Sequence, residues 1–208
     1  GEILLKHTKR VLQVMKDIQH EIDDAKSSQD RTVTVFVNSA SKLLPELVMT
    51  FKSVYPFIRI RIVHTDFVAD HNYDLSIYSS SEPILSDCSE VLIQEDILIA
   101  LPDSHYLSRR KSIGLYEVAS EEFICLQRSQ SLRKIIDNYC RLAGFEPSVV
   151  LESDSPEIVR GLVQAGVGIS FIPSVTWKGM STENITLLPI HSPECKRYIS
   201  LSWHEDGY

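Results

Sequence analysis

Apolar residues near the start of the chain recur at alternating spacings of four and three, the pattern of a helix that packs along one seam. The seam consists of Leu4, Thr8, Val11, Met15, Ile18, Ile22 and Ala25. Charged residues occupy most of the positions between them. This periodicity predicts a linker helix over residues 1–30 that pairs with a second chain. The alternative is an amphipathic helix that packs on its own domain.

From residue 31 onward, short apolar runs alternate with amphipathic segments, which predicts an α/β fold with largely parallel strands. Strands are predicted at 33–37, 58–63, 74–78, 91–93, 96–101, 124–126, 149–152, 169–173, 186–189 and 198–203. Helices are predicted to begin near Pro45, Leu132 and Pro156. Gly144 is expected to stop the second helix. The third helix is expected to bury one stripe, made of Ile158, Val159, Leu162 and Val163.

Three of the predicted strand-to-helix turns carry small polar residues. These are Ser39 and Ser41 in the first turn, Ser129 and Ser131 in the second, and Asp154 and Ser155 in the third. In an open α/β sheet, ligands bind at the carboxyl ends of strands, where helix N-termini present backbone N–H groups. Serine in such a turn is also a common helix cap. The repetition in three turns favours a binding site over three unrelated caps.

The net charge of -7 and the sequence pI of about 5.5 bear on possible partners. A surface of this sign repels a phosphate backbone, so this region is not expected to grip nucleic acid by itself. The cysteines lack metal-ligand spacing, which indicates free, mostly buried thiols in a reducing cytosol. They are Cys88, Cys125, Cys140 and Cys195. Without a membrane-spanning run or a signal-peptide pattern, the expected location is cytoplasmic, with no membrane partner.

The sequence offers no catalytic constellation. Its seven histidines are scattered, and none stands at a metal-binding spacing from Asp, Glu or Cys. It has no Gly-x-Ser-x-Gly elbow. Gly166 and Gly168 lack the third glycine of a dinucleotide site and follow a predicted helix rather than a strand. We therefore expect no catalytic residue, no metal and no cofactor.

Several segments, in their order and spacing, resemble the LysR-type transcriptional regulators. They are the turn and helix over 39–56, the strand over 74–78, Glu-Asp-Ile-Leu-Ile-Ala-Leu-Pro-Asp-Ser-His at 95–105 and Ala-Gly-Val-Gly-Ile-Ser-Phe-Ile-Pro at 165–173. The opening Gly-Glu-Ile-Leu-Leu is similar to the start of the family's linker helix. The resemblance covers nearly the whole chain, and it concerns the linker helix and the effector-binding domain.

The resemblance implies two Rossmann-like α/β subdomains of the type II periplasmic-binding-protein kind, joined by two crossing segments, with a small ligand in the cleft between them. Subdomain I would comprise residues 32–101 and 184–208, and subdomain II would comprise residues 102–183. The family's winged helix-turn-helix, which reads promoter DNA, would precede the linker helix. It is absent from this sequence, so the chain is expected to be a fragment.

The resemblance also implies an effector site. Its residues in subdomain I would be Ser39, Ala40, Ser41, Tyr78 and Ser79. Subdomain II would contribute Arg128, Ser129 and Ser131, with Asp154 and Phe171 at the rim. The helix N-termini and Arg128 favour a carboxylate or similar anion. Asp154 argues partly against an anion because it would repel one.

One branch of this family senses peroxide with a pair of cysteines. When Ser131-Leu132-Arg133 is aligned with that branch, Cys140 occupies the second cysteine position, but Ser131 occupies the reactive first position. A serine cannot form the sulfenic acid that begins this chemistry. Peroxide sensing by that route is therefore not expected.

We expect the effector-sensing and oligomerisation region of a LysR-type regulator, acting as a homodimer or homotetramer because chains of this family pack side by side. A ligand would change the angle between the subdomains and, through the linker helices, the bending of DNA. One alternative is a solute-binding protein of the same fold, which would be a monomer by gel filtration. Another is an interaction module whose cleft is empty.

Overall fold

The structure, a computed structural model, describes residues 32–39, 43–64, 73–84, 86–179 and 181–203. The predicted linker helix over 1–30 lies outside these residues. The strands are β1 (Thr32–Val37), β2 (Arg59–Val63), β3 (Leu75–Ser80), β4 (Ser89–Pro102), β5 (Ile113–Gly114), β6 (Glu122–Leu126), β7 (Ser148–Ser153), β8 (Ser170–Pro173), β9 (Ile185–Ser192) and β10 (Lys196–Trp203). The helices are α1 (Leu44–Val54), α2 (Ser131–Leu142) and α3 (Pro156–Gln164), and Leu115–Val118 forms a 3₁₀ turn.

Local sequence signals account for the ends of the helices. Pro45 lies in the first turn of α1, where its missing N–H costs no hydrogen bond. Ser155 caps α3, since its Oγ accepts a hydrogen bond from the Ile158 N–H at 3.3 Å, and Pro156 follows as the first helical residue. Helix α2 ends at Leu142, and Gly144 follows with φ of +88°, a conformation that glycine adopts without steric cost. These helix starts and stops confirm the predicted ones.

The first of two compact units holds the described residues up to Ile93 and those from Tyr198 onward. In its sheet, β1 pairs in parallel with β2 and with β3, while β10 pairs with β3 in antiparallel fashion. Alternate residues of β1, β3 and β10 form the core with two residues of β4 and the start of α1. The core residues are Val35, Val37, Leu44, Leu75, Ile77, Leu92, Ile93, Ile199 and Leu201.

The second unit spans Gln94–Arg197. Strand β4 pairs with β8 and with β9 in antiparallel fashion, β5 pairs with β9 in parallel, and β6 pairs with β7 in parallel. Helix α2 buries a stripe against the core, made of Leu132, Ile135, Ile136, Tyr139 and Cys140. From α3, the fully buried residues are Val159 and Val163. The turns before α2 and α3, which carry the predicted ligand residues, both belong to this unit.

The two units divide the chain between Ile93 and Gln94 and between Arg197 and Tyr198. The subdomains implied by the resemblance divide it instead near 101 and 184. The difference arises because residues 97–101 of β4 pair with β8 and β9, so this part of β4 packs in the second unit. The two units are defined by which strands pack together. The subdomain boundaries that the resemblance implies, near 101 and 184, stay a prediction.

The two strands predicted at 91–93 and 96–101 are one strand, β4, so the prediction of a break was wrong. Two polar residues, Gln94 and Glu95, separate the two apolar runs, but Glu95 is buried within the strand. Its Oε2 accepts hydrogen bonds from the N–H groups of Val175 at 3.0 Å and Thr176 at 2.8 Å. A polar side chain with such partners does not interrupt a buried strand.

Two further expectations are corrected. The strand pairing is mixed rather than largely parallel, because β8 and β9 pair antiparallel with β4, and β10 pairs antiparallel with β3. In α3, Ile158 is exposed and Arg160 is buried, which reverses part of the expected stripe. The aliphatic stem of Arg160 can pack in the core because its Nη1 donates to the Ser181 carbonyl at 2.8 Å.

No helix in the described part of the chain is long and apolar enough to cross a membrane.

Candidate functional site

The two polar turns of the second unit lie next to each other. The turn over 127–131 follows β6, and the turn over 153–155 follows the neighbouring parallel strand β7. The Gln127 N–H donates to the Ser153 carbonyl at 3.0 Å, and Gln130 Nε2 donates to the Asp154 carbonyl at 2.9 Å. The two turns are adjacent because parallel neighbouring strands end at the same edge of a sheet. The predicted convergence of all three polar turns stays a prediction.

The N-terminal ends of α2 and α3 differ in how they are capped. The Ser155 hydroxyl caps α3, as described above. At α2 the cap residue is Gln130, in an extended conformation, and its side chain makes no cap hydrogen bond but reaches Asp154 instead. The first turn of a helix has N–H groups with no acceptor inside the helix, and it carries a partial positive charge. The start of α2 is therefore suited to an anionic ligand.

Arg128 supplies a positive charge beside this helix start. Its side chain is 83% exposed, and its Nε lies 3.9 Å from Oε1 of Glu152, at the end of β7. An exposed pair at this distance contributes little to stability, so the Arg128 side chain can exchange partners at low cost.

Arg133 is the second cation near the turns, and it is only 2% exposed. Its Nη1 donates to Glu152 Oε1 at 2.6 Å and to the Leu126 carbonyl at 2.9 Å, while its Nε donates to Asp137 Oδ1 at 2.7 Å. Burial by itself lowers the pKa of Arg133, but the hydrogen bonds to Asp137 and Glu152 outweigh it and raise that pKa overall. Arg133 thus ties the end of β6 and the end of β7 to the first turns of α2.

The polar turn of the first unit follows β1. The Asn38 N–H donates to the Ile77 carbonyl at 2.9 Å, and the Ser39 hydroxyl donates to the Ser79 hydroxyl at 3.2 Å. These bonds attach the start of the turn to β3. Ala40 and Ser41, also predicted to bind the effector, lie outside the described residues. Three of the predicted residues, Ser39, Tyr78 and Ser79, are therefore placed around the ends of β1 and β3.

Among the remaining predicted residues, Ser129 and Asp154 are exposed in the paired turns, and Ser131 is the first residue of α2. Phe171 has a different environment. It is 3% exposed in β8, and its ring stacks on that of Phe123 with centroids 5.5 Å apart and planes 6° apart. The Phe171 side chain thus packs in the core of the second unit.

Three residues near these turns were not predicted from the sequence: Gln130, Arg133 and Glu152. Arg133 and Asp137 carry a detectable signal, since oppositely charged residues four positions apart lie on the same helix face. Glu152 closes a predicted strand, the usual place for ligand-binding residues in an α/β sheet. Its pairing with Arg133 depends on the register of two strands, and spacing alone does not give that register.

The cysteines are free, and three of them are buried, as predicted. Burial raises the pKa of Cys125 to about 11 and the pKa values of Cys140 and Cys195 to about 12. Thiols with such pKa values carry almost no thiolate near neutral pH, so they are poor nucleophiles. Among the described residues, no group of three or more His, Cys, Asp and Glu side chains could hold a metal ion.

Residues 27–208 match the family described as LysR substrate binding domain. The regulator YybE of Bacillus subtilis (strain 168), named as an uncharacterized HTH-type transcriptional regulator, is 28% identical over 211 residues, which cover 98% of this chain and 72% of the relative. The transcriptional dual regulator GltC of the same organism is 26% identical over 210 residues, covering 97% of this chain and 70% of the relative.

Two solved structures with similar folds hold ligands. The effector binding domain of QuiR in complex with shikimate has a TM-score of 0.69 and 21% identity, and the match covers 86% of this chain and 90% of that one. The BenM effector binding domain with its effector benzoate has a TM-score of 0.67 and 21% identity, with coverage of 86% and 85%. At this level of identity the likeness establishes the fold alone.

Proposed function

Because the chain belongs to the LysR substrate-binding domain family, we propose that it binds a small carboxylate metabolite and relays this signal to the DNA-binding part of a regulator. The chain is the effector-binding domain of a LysR-type transcriptional regulator, and it has the type II periplasmic-binding-protein-like fold that the resemblance implied. The observation that carries the ligand proposal is the hydrogen-bonded pair of turns at the starts of α2 and α3, with Arg128 beside them.

The chemistry of the α2 start supports a carboxylate. Backbone N–H groups, the hydroxyls of Ser129 and Ser131 and the Arg128 guanidinium are all hydrogen-bond donors, and a carboxylate is acceptor-only. Shikimate and benzoate, the ligands named for the two similar structures, are both carboxylates. The predicted effector contacts of the first unit stay predictions: Ser39, Ala40, Ser41, Tyr78 and Ser79. That these residues and the second unit bind the same molecule is likewise a prediction.

The proposed regulation is a shift between two states of the assembled regulator. An effector changes the balance of such states only if it binds one of them more tightly than the other. The acidic charge of this chain disfavours contact with DNA, so we assign promoter recognition to another part of the regulator. The relatives are named transcriptional regulators, which supports a cytoplasmic sensor without catalytic activity and does not favour a transport protein.

Replacing Arg128 by glutamine is expected to weaken binding of a carboxylate effector about tenfold without unfolding the domain. One charge-assisted hydrogen bond contributes about 1.5–3 kcal/mol, and the exposed side chain contributes little to folding. A panel of small carboxylates is screened by thermal shift on the wild type, and the dissociation constant of any that binds is then measured for both proteins. The Ser41→Ala variant is expected to weaken binding as well. Normal binding by both variants would mean that the site lies elsewhere.

We propose that the functional unit is a homodimer or larger. Exposed apolar side chains on and after α1 support this, because Met49 is 73% exposed and Phe57 is 87% exposed. Gel filtration and sedimentation of the 208-residue chain should give a dimer or larger species. Val54, on α1, is 44% exposed. The double variant Met49→Lys, Val54→Lys should therefore shift the chain toward monomer with unchanged helix content by circular dichroism. A monomeric wild type would contradict the proposal.

A further inference from the structure

The carboxylate of Glu152 lies between two arginines with different roles. On one side it accepts a hydrogen bond from the buried Arg133 at 2.6 Å, and on the other it lies 3.9 Å from the exposed Arg128. Arg133 is itself held by the Leu126 carbonyl and by Asp137, so it cannot follow a ligand. Glu152 is therefore a negative charge that the fold holds at a fixed place, although 40% of its side chain is exposed.

We propose that Glu152 is a specificity-determining residue that competes with the acid group of the effector for Arg128 and selects singly charged over doubly charged anions. This inference rests on the proposed function of the paired turns. Arg128 lies beside the Glu152 carboxylate, so the acid group of an effector must displace that carboxylate to pair with Arg128. The Glu152 carboxylate stays close to a bound effector and repels each negative charge that the effector carries.

Coulomb's law gives the size of the effect. Two like charges about 7 Å apart in a water-like medium repel each other enough to weaken binding about threefold. An exposed ion pair such as Arg128 with Glu152 adds a similar factor at most. A second charge on the ligand doubles the repulsion on a logarithmic scale. Removal of the Glu152 charge should therefore raise the affinity for a dianion, relative to that for a monoanion, by about threefold.

Glu152→Gln is the informative variant because it removes the charge and keeps an oxygen that can accept from Arg133. Glu146→Gln is the matched control. Glu146 is exposed in the segment after the C-terminal end of α2, and a helix of this length separates its two ends by roughly 18 Å. The control removes the same charge from the same unit, so a change in net charge alone would affect both variants equally.

The probes are benzoate, with one negative charge, and phthalate, with two. Each is titrated at constant ionic strength into the 208-residue chain, and binding is followed through the backbone amide NMR signals of Ser129 and Ser131. In Glu152→Gln, benzoate should bind about threefold more tightly than in the wild type and phthalate about tenfold more tightly. Glu146→Gln should match the wild type. In an Arg128→Gln background, Glu152→Gln should still change the ratio of the two dissociation constants about threefold, because the repulsion between Glu152 and the ligand does not involve Arg128.

The outcomes separate this inference from the proposed function. If benzoate binds and the ratio of the benzoate and phthalate dissociation constants is the same in wild type and Glu152→Gln, the selectivity inference is overturned and the carboxylate site stands. If neither probe gives a saturable shift at Ser129 or Ser131 in either protein, both are overturned. If Glu152→Gln does not fold, the two dissociation constants of the wild type test the inference. Tighter binding of benzoate than of phthalate supports it, and equal affinity overturns it.

Discussion

Replacing Arg133 by leucine should lower the free energy of unfolding by about 3 kcal/mol. The substitution removes the donor to the buried Leu126 carbonyl and leaves that carbonyl without the partner that the structure shows. It also removes the counter-charge of Asp137 and Glu152, which are partly exposed and regain water in compensation. Urea denaturation, followed by circular dichroism on the wild type and the variant, measures the difference.

Arg141→Leu is the control for this experiment, because Arg141 lies on the same helix with an exposed side chain that contacts Asn138. A surface substitution of this kind should change the free energy of unfolding by no more than about 0.5 kcal/mol. If Arg133→Leu were as stable as Arg141→Leu, the tie between β6, β7 and α2 would have no energetic importance. The fixed position of Glu152 would then need another explanation.

Replacing Phe171 by alanine should destabilise the protein by about 3–5 kcal/mol, the range for the loss of a buried aromatic side chain. The ring stacks on Phe123 inside the second unit, and its removal would leave a cavity in a closely packed core. Phe171→Leu, which fills most of the space, should lose about 1.5 kcal/mol. Thermal and urea denaturation of both variants give these values.

The exposed Tyr116 is the control for loss of an aromatic ring, and Tyr116→Ala should change the free energy of unfolding by no more than about 0.5 kcal/mol. The comparison also tests the prediction that Phe171 lines the effector site. A residue that only packs in the core should lower stability, with carboxylate affinity unchanged in the Phe171→Leu variant. A stable Phe171→Ala variant with weakened binding would instead place Phe171 at the ligand.

Features that depend on neighbouring positions along the chain were predictable. Serine followed by proline marks the start of α3, and glycine marks the end of α2. Each signal lies within a few residues of the helix end that it marks. The family fold followed from motifs spread over nearly the whole chain. Burial of three cysteines was also predictable, because isolated cysteines without ligand spacing behave as small apolar residues.

Features that depend on distant partners were not predictable. Glu95 interrupts an apolar pattern, so two strands were predicted in place of one, but its carboxylate accepts hydrogen bonds from the N–H groups of residues 175 and 176, about eighty positions later in the chain. Ile158, expected in the buried stripe, is exposed, whereas Arg160 is buried and donates a hydrogen bond to the Ser181 carbonyl. In each case the buried polar group has a hydrogen-bond partner far away in the sequence.

By itself, the sequence determined the family, the α/β fold and the turns that carry the candidate ligand residues, because hydrophobic periodicity and capping signals are local. The tertiary structure alone decided that the turns over 127–131 and 153–155 are hydrogen-bonded together, and that Glu152 meets Arg133 and Arg128. It also placed Phe171 in the core. The reason is physical: pairing register and helix rotation are set by packing over the whole unit, and they decide which side chains come within a few ångströms of each other.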